Sequence, residues 1–223
     1  MDDLSKKDMN QYYSSLLKKY GTSPKALAYK SNLQQIHRYT TLTNIQPISK
    51  LSSVLDVGCG LGYLSDFLRD NGWQGNYTGI DINPDIIEAA SERSPSDNFL
   101  CKDILNEDFE DKFDYVFCGA TLQHKPKYSD ALKYLEDMIT RMFSLSYKGL
   151  AFDVFTNQVD YEREVSIYVS PKYLLELCYR LTNRLVIRHD FRPYEIMVYL
   201  YNQTPTNELN IYKDSGQLPP III

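Results

Sequence analysis

The chain predicts a doubly wound α/β fold, a seven-stranded, mostly parallel sheet with one strand reversed. Three observations carry this. Strand-like and helix-like segments alternate from Ser53 onward, a glycine-studded turn follows the first apolar run, and two β-rich runs close the series with no room for a helix between them. Ser53–Val57 reads as the first strand, and Leu64–Asn71 as the helix that follows the glycine turn. Tyr77–Ile82 is the second strand. Asn83 and Pro84 then supply an N-cap and a proline at the first helical position, with Ile86, Ile87, Ala89 and Ala90 inside. Asn98–Lys102 is a short third strand and Phe113–Cys118 a fourth. Ser129–Ser144 carries Leu132, Leu135, Met138, Ile139, Met142 and Phe143 at the spacing of an amphipathic helix. Leu150–Phe155 is the fifth strand, and Ser170-Pro171 opens another capped helix. Leu185–His189 and Ile196–Tyr201, joined through Pro193, make a hairpin, hence an antiparallel pair after a parallel series.

Around this unit, taken as residues 51–202, residues 1–50 read as a polar helical cap (Gln11–Tyr20, then Ala26–Leu42). Residues 203–223 read as a loosely attached tail. The 43% apolar and 24% charged fractions of the 223 residues are those of a water-soluble globular protein. A net charge of -5 argues against a duplex nucleic-acid partner. No run approaches a membrane span, the first residues lack a signal peptide's apolar core, and the four cysteines show no metal-like spacing, so a cytoplasmic location is expected. A monomer or homodimer is expected.

The chemistry concentrates in Val54-Leu55-Asp56-Val57-Gly58-Cys59-Gly60-Leu61-Gly62, with Asp81 closing the second strand. Glycine lets the backbone turn sharply beside a ligand, and an acid about 20 residues on is placed to accept from ribose hydroxyls. A dinucleotide turn would read G-x-G-x-x-G, and here the third glycine is misplaced for that. The Asp56 carboxylate beside the turn would oppose a diphosphate but suits an amino group or sulfonium. S-adenosylmethionine has both and no phosphate.

With Gly79-Ile80-Asp81-Ile82, Cys101-Lys102-Asp103-Ile104 and Phe113-Asp114-Tyr115-Val116-Phe117-Cys118 following in order, the chain resembles the class I S-adenosylmethionine-dependent methyltransferases over about residues 35–202. The resemblance implies a Rossmann-like sheet in the order 3-2-1-4-5-7-6 with strand 7 antiparallel. It also implies that Gly58, Cys59, Gly60 and Gly62 line the methionine part of the cofactor, that Asp81 binds both ribose hydroxyls and that Ile82 packs on the adenine. Asp103 would accept from the adenine amino group beside Ile104, and Cys118 and Gly119 would lie near the sulfonium. Gln35-Ile36-His37-Arg38-Tyr39 is similar to a signature of some small bacterial methyltransferases, in which Arg38 would hold the cofactor's carboxylate.

The residues after the fourth strand, Ala120-Thr121-Leu122-Gln123-His124-Lys125, would face the acceptor. His124 is the candidate general base, because an imidazole titrates near neutral pH, and substrate binding or loop packing is the plain alternative. Gln123, Tyr161 and Arg163 are candidate acceptor-binding residues, the last two in a polar loop after the fifth strand. Tyr12 and Tyr13 read as helix packing, with a lid over the cofactor as the alternative. Asp153 is a single weak candidate for a cation, so no metal is expected. The expected activity is methyl transfer to oxygen or nitrogen of a small molecule, yielding S-adenosylhomocysteine. Methylation of a protein or tRNA, or a non-catalytic cofactor-binding subunit, are the alternatives.

Overall fold

The computed structural model describes residues 2–45 and 48–202. One sheet runs β3-β2-β1-β4-β5-β8-β7, built from β1 (Val54–Val57), β2 (Tyr77–Asp81), β3 (Asn98–Cys101), β4 (Phe113–Cys118), β5 (Ser146–Thr156), β7 (Leu185–Arg192) and β8 (Glu195–Tyr201). The first five are parallel, and β8 alone runs against both of its neighbours. The path is that of the expected sheet. The described residues add one strand to it: β6 (Tyr168–Val169), two residues from the loop expected after the fifth strand, pairs with the end of β5.

The central strands are buried on both faces, as a helix-covered parallel sheet requires. Alternate residues divide between two cores. Val116, Phe152 and Val198 meet α5 (Ala131–Ser144) and α6 (Pro171–Leu181), while Phe117, Ala151 and Met197 meet α2 (Asn32–Leu42) and α3 (Tyr63–Asp70). The helix α4 (Pro84–Arg93) packs beside β2 and β3, capped by Asn83 as expected.

The N-terminal segment differs from its expected form. α1 covers Asp3–Tyr20, starting well before Gln11, because Asp2 accepts from the Ser5 N–H as its N-cap. The stretch expected as one helix from Ala26 to Leu42 is a 3₁₀ turn (Pro24–Leu27) and then α2. Ala28 turns left-handed at φ 59° and ends the first piece, and Ser31 caps the second. The tail expected at 203–223 lies outside the described residues.

Candidate active site

The main cavity opens at the C-terminal ends of β1, β2 and β4, where a doubly wound sheet receives ligands. Its floor is the turn after β1. Gly58, Gly60 and Gly62 all have positive φ (73°, 54° and 75°). At Gly58 a Cβ would sit 2.0 Å from the Thr121 hydroxyl, so the residue serves both conformation and close approach.

Two carboxylates, Asp56 buried and Asp81 half-buried, face the cavity from this floor. Asp81 accepts from the Gly60 N–H at 3.1 Å and the Asn83 N–H at 3.0 Å, one on each oxygen, and burial raises its pKa despite them. Asp56 accepts from the Tyr77 hydroxyl at 2.7 Å. Burial pushes its pKa up to about 7; the Tyr77 hydrogen bond lowers it and the nearby Asp81 charge adds to the rise. Beyond Asp81 the wall is apolar, with Ile82, Ile86, Ile104, Tyr134 and Met138. Asp103 borders it and accepts from the Leu105 N–H at 3.0 Å. Burial works to raise its pKa, and Lys6 at 2.5 Å together with the Leu105 N–H outweighs it and holds the carboxyl low.

The roof is α1. Met9, Asn10 and Tyr13 line the cavity from above. Asn10 donates to the Ile82 carbonyl at 3.0 Å and receives on its own carbonyl from Asn83 at 3.0 Å. Asn10 Oδ1 is buried with no hydrogen-bond partner. The Tyr13 hydroxyl lies 2.5 Å from His124 Nε2, in the loop after β4. Burial raises the phenol's pKa and lowers the imidazole's, so the pair is neutral near pH 7.

Ten of the expected site residues line this cavity: Asp56, Gly58, Cys59, Gly60, Asp81, Ile82, Asp103, Ile104, Gly119 and His124. Six stand outside its lining. Gly62 begins α3, where a Cβ would strike Phe99, and Cys118 is fully buried in the sheet. Arg38 lies behind Tyr29, paired with Asp153 and, at 2.9 Å, with Glu195; its Nε has no hydrogen-bond partner. Gln123 turns away to donate to Asp153 at 2.7 Å. Tyr161 and Arg163 stand in the loop after β5, apart from this lining. The loop's far end pairs back on the post-β4 segment, through Ile167 N–H to Gln123 O and Lys125 N–H to Val165 O, which leaves both residues exposed outside the cavity.

A family model described as a methyltransferase domain matches residues 54–141. A protein of Mycobacterium tuberculosis (strain ATCC 25618 / H37Rv), Rv1506c, which carries a methyltransferase name, is 28% identical over 154 residues, or 66% of this chain and 90% of its own length. A malonyl-(acyl-carrier protein) O-methyltransferase of Acetivibrio thermocellus is 33% identical over 124 residues, covering 54% of this chain and 41% of that protein. The magnesium protoporphyrin IX methyltransferase of Synechocystis PCC 6803, solved with bound S-adenosylmethionine, has the same fold at TM-score 0.63 and 18% identity, over 91% of this chain and 98% of that one. Residues 54–141 thus carry a methyltransferase domain, and the likenesses together support a class I S-adenosylmethionine-dependent methyltransferase.

The cavity of this methyltransferase suits its cofactor on chemical grounds. Two acids and the orphaned Asn10 oxygen offer acceptors to hydroxyl and amino groups, and the apolar wall offers a slot for a flat base. The sequence carries no mark of Asn10, Tyr29 and Tyr134, which reach the cavity by long-range packing, or of Lys6, which pairs with Asp103 at its border; Tyr13 lines the cavity from α1, the lid position that stood as the alternative to packing. No described helix is long and apolar enough to cross a membrane.

Proposed function

We propose that this methyltransferase methylates a small molecule at oxygen or nitrogen, with His124 as general base. The observation that carries the reading is the half-buried Tyr13–His124 contact, made by α1 over the loop after β4. A neutral imidazole held under a roof can take a proton from an acceptor hydroxyl or amine while water is excluded. When the phenol donates to Nε2, the ring is held as the Nδ1–H tautomer, and an acceptor that displaces the phenol meets the free lone pair.

Bound S-adenosylmethionine supplies the methyl electrophile. In this reading Gly58, Cys59, Gly60 and Gly62 carry its methionine part, Asp56 receives the amino group, and the Nε of Arg38 is the donor left for its carboxylate. Asp81 takes the ribose hydroxyls, Ile82 and Ile104 clasp the adenine, and Asp103 shares its carboxylate between Lys6 and the adenine amino group. Cys118 and Gly119 flank the sulfonium position at the end of β4, and Gln123 acts from behind His124. The O-methyltransferase names of the relatives from Acetivibrio thermocellus and, at 34% identity over 110 residues, from the ubiquinone pathway of Saccharomyces cerevisiae lend weight to oxygen.

The test is a cofactor-consumption screen over phenols, carboxylates, amines and sugars, with tRNA and cell lysate as separate arms. Turnover confined to the tRNA or protein arms would end the small-molecule reading. With an acceptor in hand, His124→Ala is expected to keep S-adenosylhomocysteine binding and to lose about 10²–10⁴-fold in kcat, the ordinary contribution of a positioned base. Undiminished kcat would remove His124 from that role.

A further inference from the structure

Asp153 lies inside β5 with no exposed surface, yet it is an acid. Its two oxygens are divided between two points of one loop. Oδ1 accepts from the Ala120 N–H at 2.7 Å, and Oδ2 accepts from Gln123 Nε2 at 2.7 Å while also pairing with Arg38. Arg38, 3% exposed, in turn holds Glu195, which Arg192 closes off at 3.0 Å. Two guanidinium groups and two carboxylates thus form a neutral, buried cluster joining α2, β5, the β7–β8 turn and the segment after β4.

Such a cluster is a poor source of stability, since taking charges from water costs about what their attraction returns. A well-packed apolar group would fill the same space. What an apolar group would not do is hold Ala120, which sits at φ 63°, a left-handed conformation that alanine keeps only when its surroundings impose it. The Asp153 bond to the Ala120 N–H imposes it. The next residue, Thr121, then fills the space against Gly58 that a Cβ would need. The second bond fixes Gln123, and the chain arrives at His124, which bridges to Ser166 and meets Tyr13.

We infer that Asp153 is a positioning residue: by gripping Ala120 and Gln123 it sets the loop that presents His124 to the acceptor. The inference builds on His124 as base, but its test reads the histidine's state and not turnover, so the two can fail separately.

The chain has three histidines, His37, His124 and His189, and each can be followed by proton–nitrogen correlation spectroscopy of ¹⁵N-histidine-labelled full chain, with and without S-adenosylhomocysteine. Asp153→Asn keeps shape and one acceptor but loses the charge. Gln123→Leu removes one grip and leaves the Arg38 pair intact. Both are expected to move or broaden the His124 signals and to shift its titration midpoint upward by several tenths of a pH unit, toward that of a solvated imidazole, while His189 stays put. Adding Ala120→Gly to Asp153→Asn is expected to restore part of the wild-type His124 signal, because glycine holds a left-handed turn unaided. Folded variants whose His124 titrates as in the wild type would overturn the inference. So would failure of both single variants to fold, since the contacts would then serve the fold and not the loop.

Discussion

The floor and the roof of the cavity are made in different ways. The floor is local: the turn after β1, Asp81 at the end of β2 and Asp103 after β3 each follow directly from a strand that the sheet pins in place. The roof and the acceptor wall are assembled at long range, by side chains of α1 reaching Ile82, Asp103 and His124, and by Asp153 gripping the segment after β4. A floor built this way is rigid before any ligand arrives. A roof held by a handful of polar contacts can lift, as cofactor exchange requires. Substitutions in the floor are therefore expected to destroy the site, and substitutions in the roof to change its timing.

The largest effect is expected at Gly58. Alanine there carries the cost of a left-handed turn, about 1–2 kcal/mol, and must also displace Thr121, for a total of about 2–5 kcal/mol. Gly72→Ala is the matched control: its φ is 85°, but nothing lies within 4 Å of the added Cβ, so only the first cost applies. Thermal unfolding should rank Gly58→Ala well below Gly72→Ala, and calorimetry should find S-adenosylhomocysteine binding lost only in the former. Equal losses of stability would mean that the floor is less tightly built than its contacts imply. Next comes Asp81→Ala. If Asp81 holds the two ribose hydroxyls as proposed, losing those charge-assisted bonds costs about 2–4 kcal/mol, or about 30- to 1000-fold in Kd. A Kd within threefold of wild type would move the ribose elsewhere.

Asp56 gives the floor a pH signature. Its carboxyl has a pKa of about 7 in the folded protein and about 3.8 when exposed, so the folded state binds the extra proton. Stability from this group is present below about pH 4 and is lost as pH rises toward 7. An amino group placed on Asp56 favours the ionised form. Binding of S-adenosylhomocysteine at pH 6 should therefore release up to one proton, seen as a dependence of calorimetric heat on the buffer's ionisation enthalpy. Asp56→Asn should abolish that dependence and flatten the stability profile between pH 4 and 7. A proton uptake on binding would reverse the assignment.

The same division governs what was legible before the structure. Gly58, Gly60 and Asp81 stand at fixed distances along the chain because successive strands of one sheet end beside one another, so their spacing reveals them; Ile82 came with the family resemblance. The hairpin of β7 and β8 showed itself because too few residues separate the two runs to permit a helix. Lys6 and Asn10 carry no such mark. Asn10 and Ile82 are 72 residues apart, joined by a single hydrogen bond that any polar helix residue could make. Asp153 read only as a single weak cation candidate because its partners, Arg38 of α2 and the segment Ala120–Gln123, are far from it along the chain. Tyr161 and Arg163 show the converse: a loop rich in charge leaves the functional end of the sheet, but its far end pairs with Gln123 and Lys125 and both side chains lie exposed outside the cavity lining.

The smallest expected effect distinguishes roof from floor most directly. Lys6 joins α1 to Asp103 at 2.5 Å, with the lysine side chain 21% exposed, so screening limits the pair to about 0.5–1 kcal/mol. Removing it in Lys6→Ala does two opposed things. It loosens the roof, and it frees the whole Asp103 carboxylate for the adenine amino group that the proposal places there. Association and dissociation of S-adenosylhomocysteine should therefore both quicken, by about two- to fivefold, while Kd changes less than either rate. Lys133→Ala, which breaks an exposed ion pair on α5 far along the chain from α1, should leave both rates unchanged. Surface plasmon resonance resolves the two constants. Were Lys6→Ala to alter Kd through dissociation alone, Lys6 would be a binding residue of the floor, and α1 would be part of a fixed pocket rather than a roof that opens.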